Sequence, residues 1–310
     1  MTEATHEMLV RQDTPEGGDV GESRSLLSDG WRQLRRNWIF WASLVLITAF
    51  ILMAVFPSLL TSQDPGASGA LKDSHLPPSS EHLFGTNLQG RDVLARCIYG
   101  ARASILVGVL TTLATLTVGS IIGILAGYFG GIFDTIFMRV TDIFFAIPLL
   151  LGGILFMSTF PNEVDSGYFA VVMKVVIALS ILGWPSVARL MRGSALQVKP
   201  NDYVQAARAL GASPWRIIRS HVLPNAMAPV IVVSMINLGA YIAAEATLSF
   251  LGIGLAEPAV SWGIDISGSL DYIRVAWWPL VFPSLFLSLA VLAFIMLGDA
   301  VRDAFDPRSR

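Results

Sequence analysis

Long uncharged segments dominate this sequence. Five runs contain no Asp, Glu, Lys or Arg, and each reaches the length of about 20 residues that a helix needs to cross a bilayer. A sixth run holds only Lys174 near its start, where a lysine side chain can extend to the membrane surface. We therefore predict an all-α integral membrane protein with six transmembrane helices. The five charge-free runs are residues 37–63, 103–133, 143–162, 222–244 and 275–298, and the sixth span is residues 168–188.

The remaining segments divide the chain into predicted regions. Residues 1–30 are rich in Glu, Asp, Gly and Ser without apolar periodicity, which predicts disorder. Residues 93–103 are amphipathic and are predicted to lie along the membrane surface. The first apolar run, 38–60, exceeds the roughly 7–15 residues of a signal-peptide core, which favours a permanent span. The predicted regions are a cytoplasmic tail (1–36), a first transmembrane helix (37–62), an extracytoplasmic loop with a surface helix (63–101), a transmembrane core (102–300) and a second cytoplasmic tail (301–310).

The distribution of basic residues predicts the orientation. Cytoplasmic segments of membrane proteins carry an excess of Lys and Arg. With the first residue inside, six of the 21 basic residues lie outside and the other fifteen lie inside. Both termini are therefore predicted to be cytoplasmic. The six outside are Lys72, Arg91, Arg96, Arg102, Lys174 and Arg274.

A polar, basic segment at residues 201–224 separates two apolar spans. Asn201 or Asp202 can cap the start of a helix, and Gly211 can adopt the left-handed conformation that ends one. Ser213 and Pro214 can start a second helix, which we expect to run from Trp215 to about Val222 and to end near Pro224. The alternative interpretation is a basic helix lying on anionic lipid.

The spacing within this segment resembles the cytoplasmic coupling loop of ABC-importer permeases. The family pattern reads Glu-Ala-Ala, three residues, Gly, nine residues, Ile, one residue, Leu-Pro. Here Gln205 replaces the Glu and His221 replaces the Ile, while the rest of the pattern is present. The resemblance implies a type I ABC importer permease fold and assigns ATPase coupling to Asp202, Tyr203, Gln205, Ala206, Ala207, Arg208, Leu210, Gly211 and Pro224.

Four further segments are similar to permeases for dipeptides, oligopeptides and nickel, in their C-type subunit. They are residues 84–104, 127–148, 245–263 and 298–308. The resemblance covers the chain from about residue 31 onwards. It implies a bacterial cell-membrane protein that pairs with a homologous B-type permease, two cytoplasmic ATPases and an extracytoplasmic binding protein. The implied cargo is a peptide; nickel or another small solute is the alternative.

The sequence offers little chemistry of its own. It lacks a phosphate-binding G-x-x-x-x-G-K-[ST] loop, so we expect ATP hydrolysis on separate subunits, and no catalytic set is visible. Cys97 is the single cysteine and the four histidines are scattered, so we predict no disulfide, metal site or cofactor. Without a basic stripe carrying interleaved aromatic residues, nucleic-acid binding is not expected. An ion-coupled secondary transporter would require mid-membrane carboxylates, of which these runs are nearly free.

A few further residues are candidates for functional or structural roles. Glu245 follows an uncharged run and would lie about 29 Å along a helix from Ala226. It is a candidate for the translocation path, and a position at the membrane interface is the equal alternative. Asp134, Arg139 and Asp142 are interpreted as a structural charge cluster. The glycines at 119, 123 and 127 repeat every four residues, which favours close helix packing.

Overall fold

The regular structure is helical throughout. The computed structural model describes residues 26–163 and 165–305, and these two ranges contain no β-strand. Single 3₁₀ turns occur at Leu71–Asp73 and Leu270–Tyr272, and a π-helical turn occurs at Ile218–Val222. The helices are α1 (Leu26–Arg36), α2 (Trp38–Val55), α3 (Pro57–Leu60), α4 (Val93–Phe129), α5 (Gly131–Phe145), α6 (Leu149–Thr159), α7 (Tyr168–Val198), α8 (Asp202–Ala209), α9 (Pro214–Ile217), α10 (Leu223–Phe250), α11 (Trp262–Ser269) and α12 (Trp278–Phe305).

The predicted all-α membrane architecture is confirmed. Within the described ranges, five helices are long and apolar enough to cross a membrane, and the pair α5–α6 counts as a sixth if it crosses as one bent segment. The five are Trp38–Val55, Val93–Phe129, Tyr168–Val198, Pro214–Phe250 and Trp278–Ala304.

The charge-free run at residues 143–162 does not form one straight helix. It is divided between the end of α5 and the whole of α6, which meet at an angle of 83°. Pro148 precedes α6, and a proline has no N–H for the preceding turn and disfavours a helical conformation at the residue before it. The proline therefore explains why the apolar run bends.

The prediction of a separate surface helix at residues 93–103 is wrong. These residues form the first three turns of α4, which continues without a break to Phe129. Asp92 begins the helix by accepting a hydrogen bond from the Ala95 amide at 2.7 Å. Most of these turns are buried, including Ala95, Cys97 and Ala101, because Trp262 of α11, Ala276 and Trp278 pack against them.

The predicted disordered segment also extends too far along the chain. Residues 1–25 lie outside the described ranges, but Leu26–Arg36 is a helix, so the expectation fails for residues 26–30. Leu34 and Phe40 pack against Ala300 and Ala304 of α12. The apolar positions of α1 therefore have a partner that composition alone did not reveal.

Polar contacts join the loops at one end of the bundle. Trp278 Nε1 donates to the Thr86 carbonyl at 3.1 Å, and Asn162 Nδ2 donates to the Gly254 carbonyl at 3.2 Å. Arg91 Nη1 lies 2.7 Å from Glu257 Oε1, and this hydrogen bond lowers the pKa of Glu257. The Glu257 carboxylate therefore stays ionised to a lower pH than an ordinary Glu.

The contact between α4 and α7 is made by glycines. A Cβ atom at Gly119 would lie 2.8 Å from the Trp184 carbonyl oxygen, and one at Gly123 would lie 2.4 Å from that of Ala188. At Gly127 the Arg192 carbonyl oxygen would be 2.9 Å away. The predicted close packing is confirmed, and the backbones meet where side chains would otherwise stand.

We predict that Gly123→Ala lowers the melting temperature of the purified protein, because the added methyl group must displace the backbone of α7. Overpacking of this kind costs about 1–3 kcal/mol. Gly193→Ala is the matched control: Gly193 is also helical, but its Cβ would meet nothing within 4 Å. Equal melting temperatures for the two variants would contradict the packing argument.

Candidate functional site

The candidate coupling site is a short module that follows α7. We define it as residues 201–222: α8, the turn at Gly211, α9 and the π-helical turn. It lies at the end of the bundle opposite the loops joined by Trp278 and Asn162. Lys199 anchors its start, because its Nζ donates to the Tyr128 carbonyl at the end of α4 at 2.7 Å.

The first helix of the module begins and ends close to the predicted residues. Asn201 occupies the capping position with extended backbone angles, but its side chain makes no capping hydrogen bond. At the other end, Gly211 has φ +80°. The Gly211 amide donates to the Arg208 carbonyl at 3.0 Å, and the Ala212 amide donates to that of Ala207 at 3.1 Å. This pair of bonds is the Schellman motif, and it confirms the predicted left-handed turn.

The second helix does not end near Pro224, contrary to the prediction. Ser213 accepts a hydrogen bond from the Arg216 amide at 3.4 Å, so the predicted start is correct. The helix then continues through the π-helical turn, where the Leu223 amide donates to the Ile218 carbonyl. Pro224 directly follows this turn. A proline has no N–H for the preceding turn and crowds the carbonyl four residues back, and the π-helical turn, whose bonds span one residue more, accommodates it. The helix therefore passes Pro224 and runs to Phe250.

The module has an inner face and an outer face. Val204, Ile217 and Ile218 are buried in a cluster with Met191 and Ala195 of α7. On the outer face, the exposed fraction is 42% for Tyr203 and 88% for Leu210, and Trp215, at the edge of a groove between α4 and α10, is 66% exposed. Asp202, Gln205, Ala206, Arg208 and Arg216 are also exposed. The outer face thus combines large apolar side chains with basic ones, a composition typical of protein–protein contacts.

The two alanines of the motif differ in their surroundings. Ala206 is exposed, whereas Ala207 is partly buried and packs against the cluster around Val204 and Ile217. The small size of Ala207 is therefore required by the chain's own packing. Only Ala206 presents its methyl group to an approaching surface.

The two departures from the motif both make local contacts. Gln205 Nε2 donates to the Lys199 carbonyl at 3.1 Å, a bond that a glutamate could not donate. The His221 ring lies 6.3 Å from the Tyr203 ring, measured between centroids. Gln205 thus links the module to the end of α7, whereas His221 packs beside α8 within the module.

Ion pairs between α5 and α7 support the module. Arg192 reaches both oxygens of Asp134, at 2.5 and 2.6 Å, and Arg189 pairs with Asp142. Arg139 is a looser partner of Asp142 at 3.7 Å. The sequence indicated the aspartates but not their main partners. The signal was present, since Arg189 and Arg192 are three residues apart and share one face of a helix.

Glu245 lies inside the subunit. It is completely buried in this structure, and both roles considered for it stay predictions. Ser104 Oγ of α4 donates to Oε2 at 2.7 Å, and Ser249 Oγ donates to Oε1 at 2.8 Å. Hydroxyl donors from α4 and from the next turn of α10 itself replace the water that a buried carboxylate would otherwise need. Glu245 thereby joins α10 to α4.

Comparison with known proteins agrees with this geometry. Residues 119–310 match the family described as the binding-protein-dependent transport system inner membrane component. The chain belongs to this family. Residues 25–78 match a second family, the N-terminal TM domain of oligopeptide transport permease C.

Two relatives from Bacillus subtilis (strain 168) are similar over most of their length. The dipeptide transport system permease protein DppC is 39% identical over 93% of this chain and 88% of its own. The oligopeptide transport system permease protein OppC is 38% identical over 93% of this chain and 92% of its own. A chain of the MetNI methionine ABC transporter, solved in inward-facing conformations, superposes with a TM-score of 0.53 at 21% identity, over 68% of this chain and 96% of that one. The last comparison shows a shared transporter fold.

We predict that Gly211→Val destabilises this family member's coupling module, because a β-branched residue at φ +80° costs about 1–3 kcal/mol in backbone strain. Trypsin should then cleave after Arg208 and Arg216 faster than in the unmodified protein. Gly211→Asn is the control, since asparagine tolerates the left-handed conformation, and nothing lies within 4 Å of the new Cβ. Equal cleavage rates for both variants would mean that the turn does not depend on glycine.

Proposed function

We propose that this chain is a permease subunit of an ATP-driven ABC importer that carries peptides across the bacterial cell membrane. The observation that carries the proposal is the outer face of the coupling module, where Tyr203, Leu210 and Trp215 are exposed beside arginines. Family membership supports the transport role. The names of the dipeptide and oligopeptide relatives support the peptide cargo.

The proposed mechanism assigns this chain a mechanical role and no catalytic one. A cytoplasmic ATPase subunit binds the outer face of α8 and α9, with Leu210 and Trp215 as apolar anchors. When two ATPases close on ATP, they displace the docked modules. Because α9 is continuous with α10, the displacement moves a transmembrane helix directly. The spans then alternate between states open to opposite sides, each stabilised by its own contacts.

The complete importer requires partners that the chain does not supply. We infer a homologous B-type permease that contributes the other half of the path, two ATPase subunits and an extracytoplasmic binding protein that delivers the peptide. Both termini lie in the cytoplasm in this arrangement, which also places the coupling module there. The Lys and Arg distribution supports that orientation.

We predict that Ala206→Trp prevents the ATPase subunits from co-purifying with a tagged copy of this chain, because an indole at this exposed position obstructs close approach. Peptide uptake should fall to background. Ala67→Trp is the control, since Ala67 is an exposed alanine of the loop at the opposite end; there the ATPases should be retained. Retention of the ATPases by Ala206→Trp would show that they bind elsewhere. Ala207→Trp is less informative, because it would also disrupt the cluster around Val204.

We also predict the orientation. Cys97 is buried and is replaced by alanine; single cysteines are then placed at exposed Ser80 and at exposed Gln205. An impermeant maleimide should label Ser80→Cys in intact cells and Gln205→Cys only after permeabilisation. The reverse pattern would overturn the proposed topology and remove the module from the cytoplasm.

A further inference from the structure

A large cavity lies where α7, α10 and α12 converge beside the coupling module. Its volume is about 610 Å³, which is in the usual range for ligand sites. Residues 190–198 of α7, residues 225–236 of α10 and Arg302 of α12 line it. The outer face of the module and the buried Glu245 belong to other parts of the molecule.

The lining changes from polar to apolar along the cavity. Gln197, Asn225 and Arg302 lie near the ends of their helices, since α7 ends at Val198, α10 begins at Leu223 and α12 ends at Phe305. Val232 and Ile236 are 7 and 11 residues further along the helix than Asn225, or about 10 and 16 Å deeper at 1.5 Å per residue. The cavity thus has a polar rim at one level of the membrane and an apolar floor further in.

The rim offers several hydrogen-bonding groups. Arg302 is exposed and pairs with no acidic residue in the described ranges. Asn225 Nδ2 already donates to the His221 carbonyl at 2.6 Å, which leaves its Oδ1 as an acceptor. Pro229 has no N–H to donate to the Asn225 carbonyl four residues back. The rim therefore presents one cation together with oxygen acceptors.

These features indicate which class of ligand the cavity can bind. The lining contains no carboxylate, so the ammonium group of a peptide would find no counter-charge there. An anionic amphiphile fits both parts, because its head can pair with Arg302 while a hydrocarbon chain covers the floor. A basic pocket between transmembrane helices at the level of the headgroups is a known mode of anionic lipid recognition.

We propose that this cavity binds an anionic phospholipid of the surrounding membrane. The phosphate pairs with the Arg302 guanidinium, the Gln197 amide donates to a headgroup oxygen, and Asn225 Oδ1 accepts from a headgroup hydroxyl. One acyl chain lies along Val232, Val233 and Ile236. Since Asn225 is three residues beyond the π-helical turn, the bound lipid holds the junction between the coupling module and α10.

The test measures lipid binding to the full-length chain in detergent by native mass spectrometry, with dioleoyl phosphatidylglycerol and dioleoyl phosphatidylcholine as probes. We expect one molecule of phosphatidylglycerol to bind more tightly than phosphatidylcholine. Arg302→Gln should weaken phosphatidylglycerol binding about fivefold, equivalent to about 1 kcal/mol, without affecting phosphatidylcholine. Arg139→Gln is the control, since Arg139 is an exposed arginine outside the cavity, and it should change neither affinity.

A second variant addresses the floor of the cavity. Val233→Phe places a larger side chain where the acyl chain is expected and should weaken phosphatidylglycerol binding with Arg302 intact. Equal losses for Arg302→Gln and Arg139→Gln would show a non-specific charge effect and overturn the proposal. Displacement of the lipid by trialanine would also overturn it, by assigning the cavity to cargo. Because the readout is binding, the result does not depend on whether the chain imports peptides.

Discussion

The close contact between α4 and α7 is the constraint on which the rest of the structure depends. Glycines on α4 let the two backbones approach until the carbonyl oxygens of Trp184 and Ala188 occupy the space of side chains. In lipid, where hydrophobic burial does not drive helices together, such packing is a principal source of association. This packing fixes the position of α7 along α4. The position of α7 in turn determines where the segment that follows it begins.

That position carries over to the coupling module. With α7 in place, Arg189 and Arg192 face the aspartates of α5, and Lys199 reaches the last turn of α4. The arginine pairs brace α5 against α7, and the lysine contact holds the point at which the chain leaves α7 for α8. The exposed face of α8 is therefore set by a contact between two helices that takes place inside the membrane.

The sequence predicted the spans and the turn at Gly211 because both depend on local properties. Absence of charge over about 20 residues is enough to indicate a span, and a glycine after a short helix indicates a left-handed end. The wrong predictions concern residues whose surroundings are set by distant parts of the chain. Residues 93–103 have an amphipathic pattern, but Trp262, Ala276 and Trp278 pack against them. Pro224 was interpreted as a stop, although the π-helical turn before it lets the helix continue. The partners of Glu245 were also not predictable, because only the fold brings Ser104 near it.

The continuity of α9 with α10 makes this part of the molecule a lever. The helix from Pro214 to Phe250 has 37 residues and is about 55 Å long at 1.5 Å per residue. A tilt of about 5° displaces one end relative to the other by about 5 Å. Without a flexible loop between the surface turn and the span, a small rotation imposed at Trp215 is amplified over that length. Glu245 and Ser104 lie close to the far end, where the resulting displacement would be greatest if the helix pivots near the module.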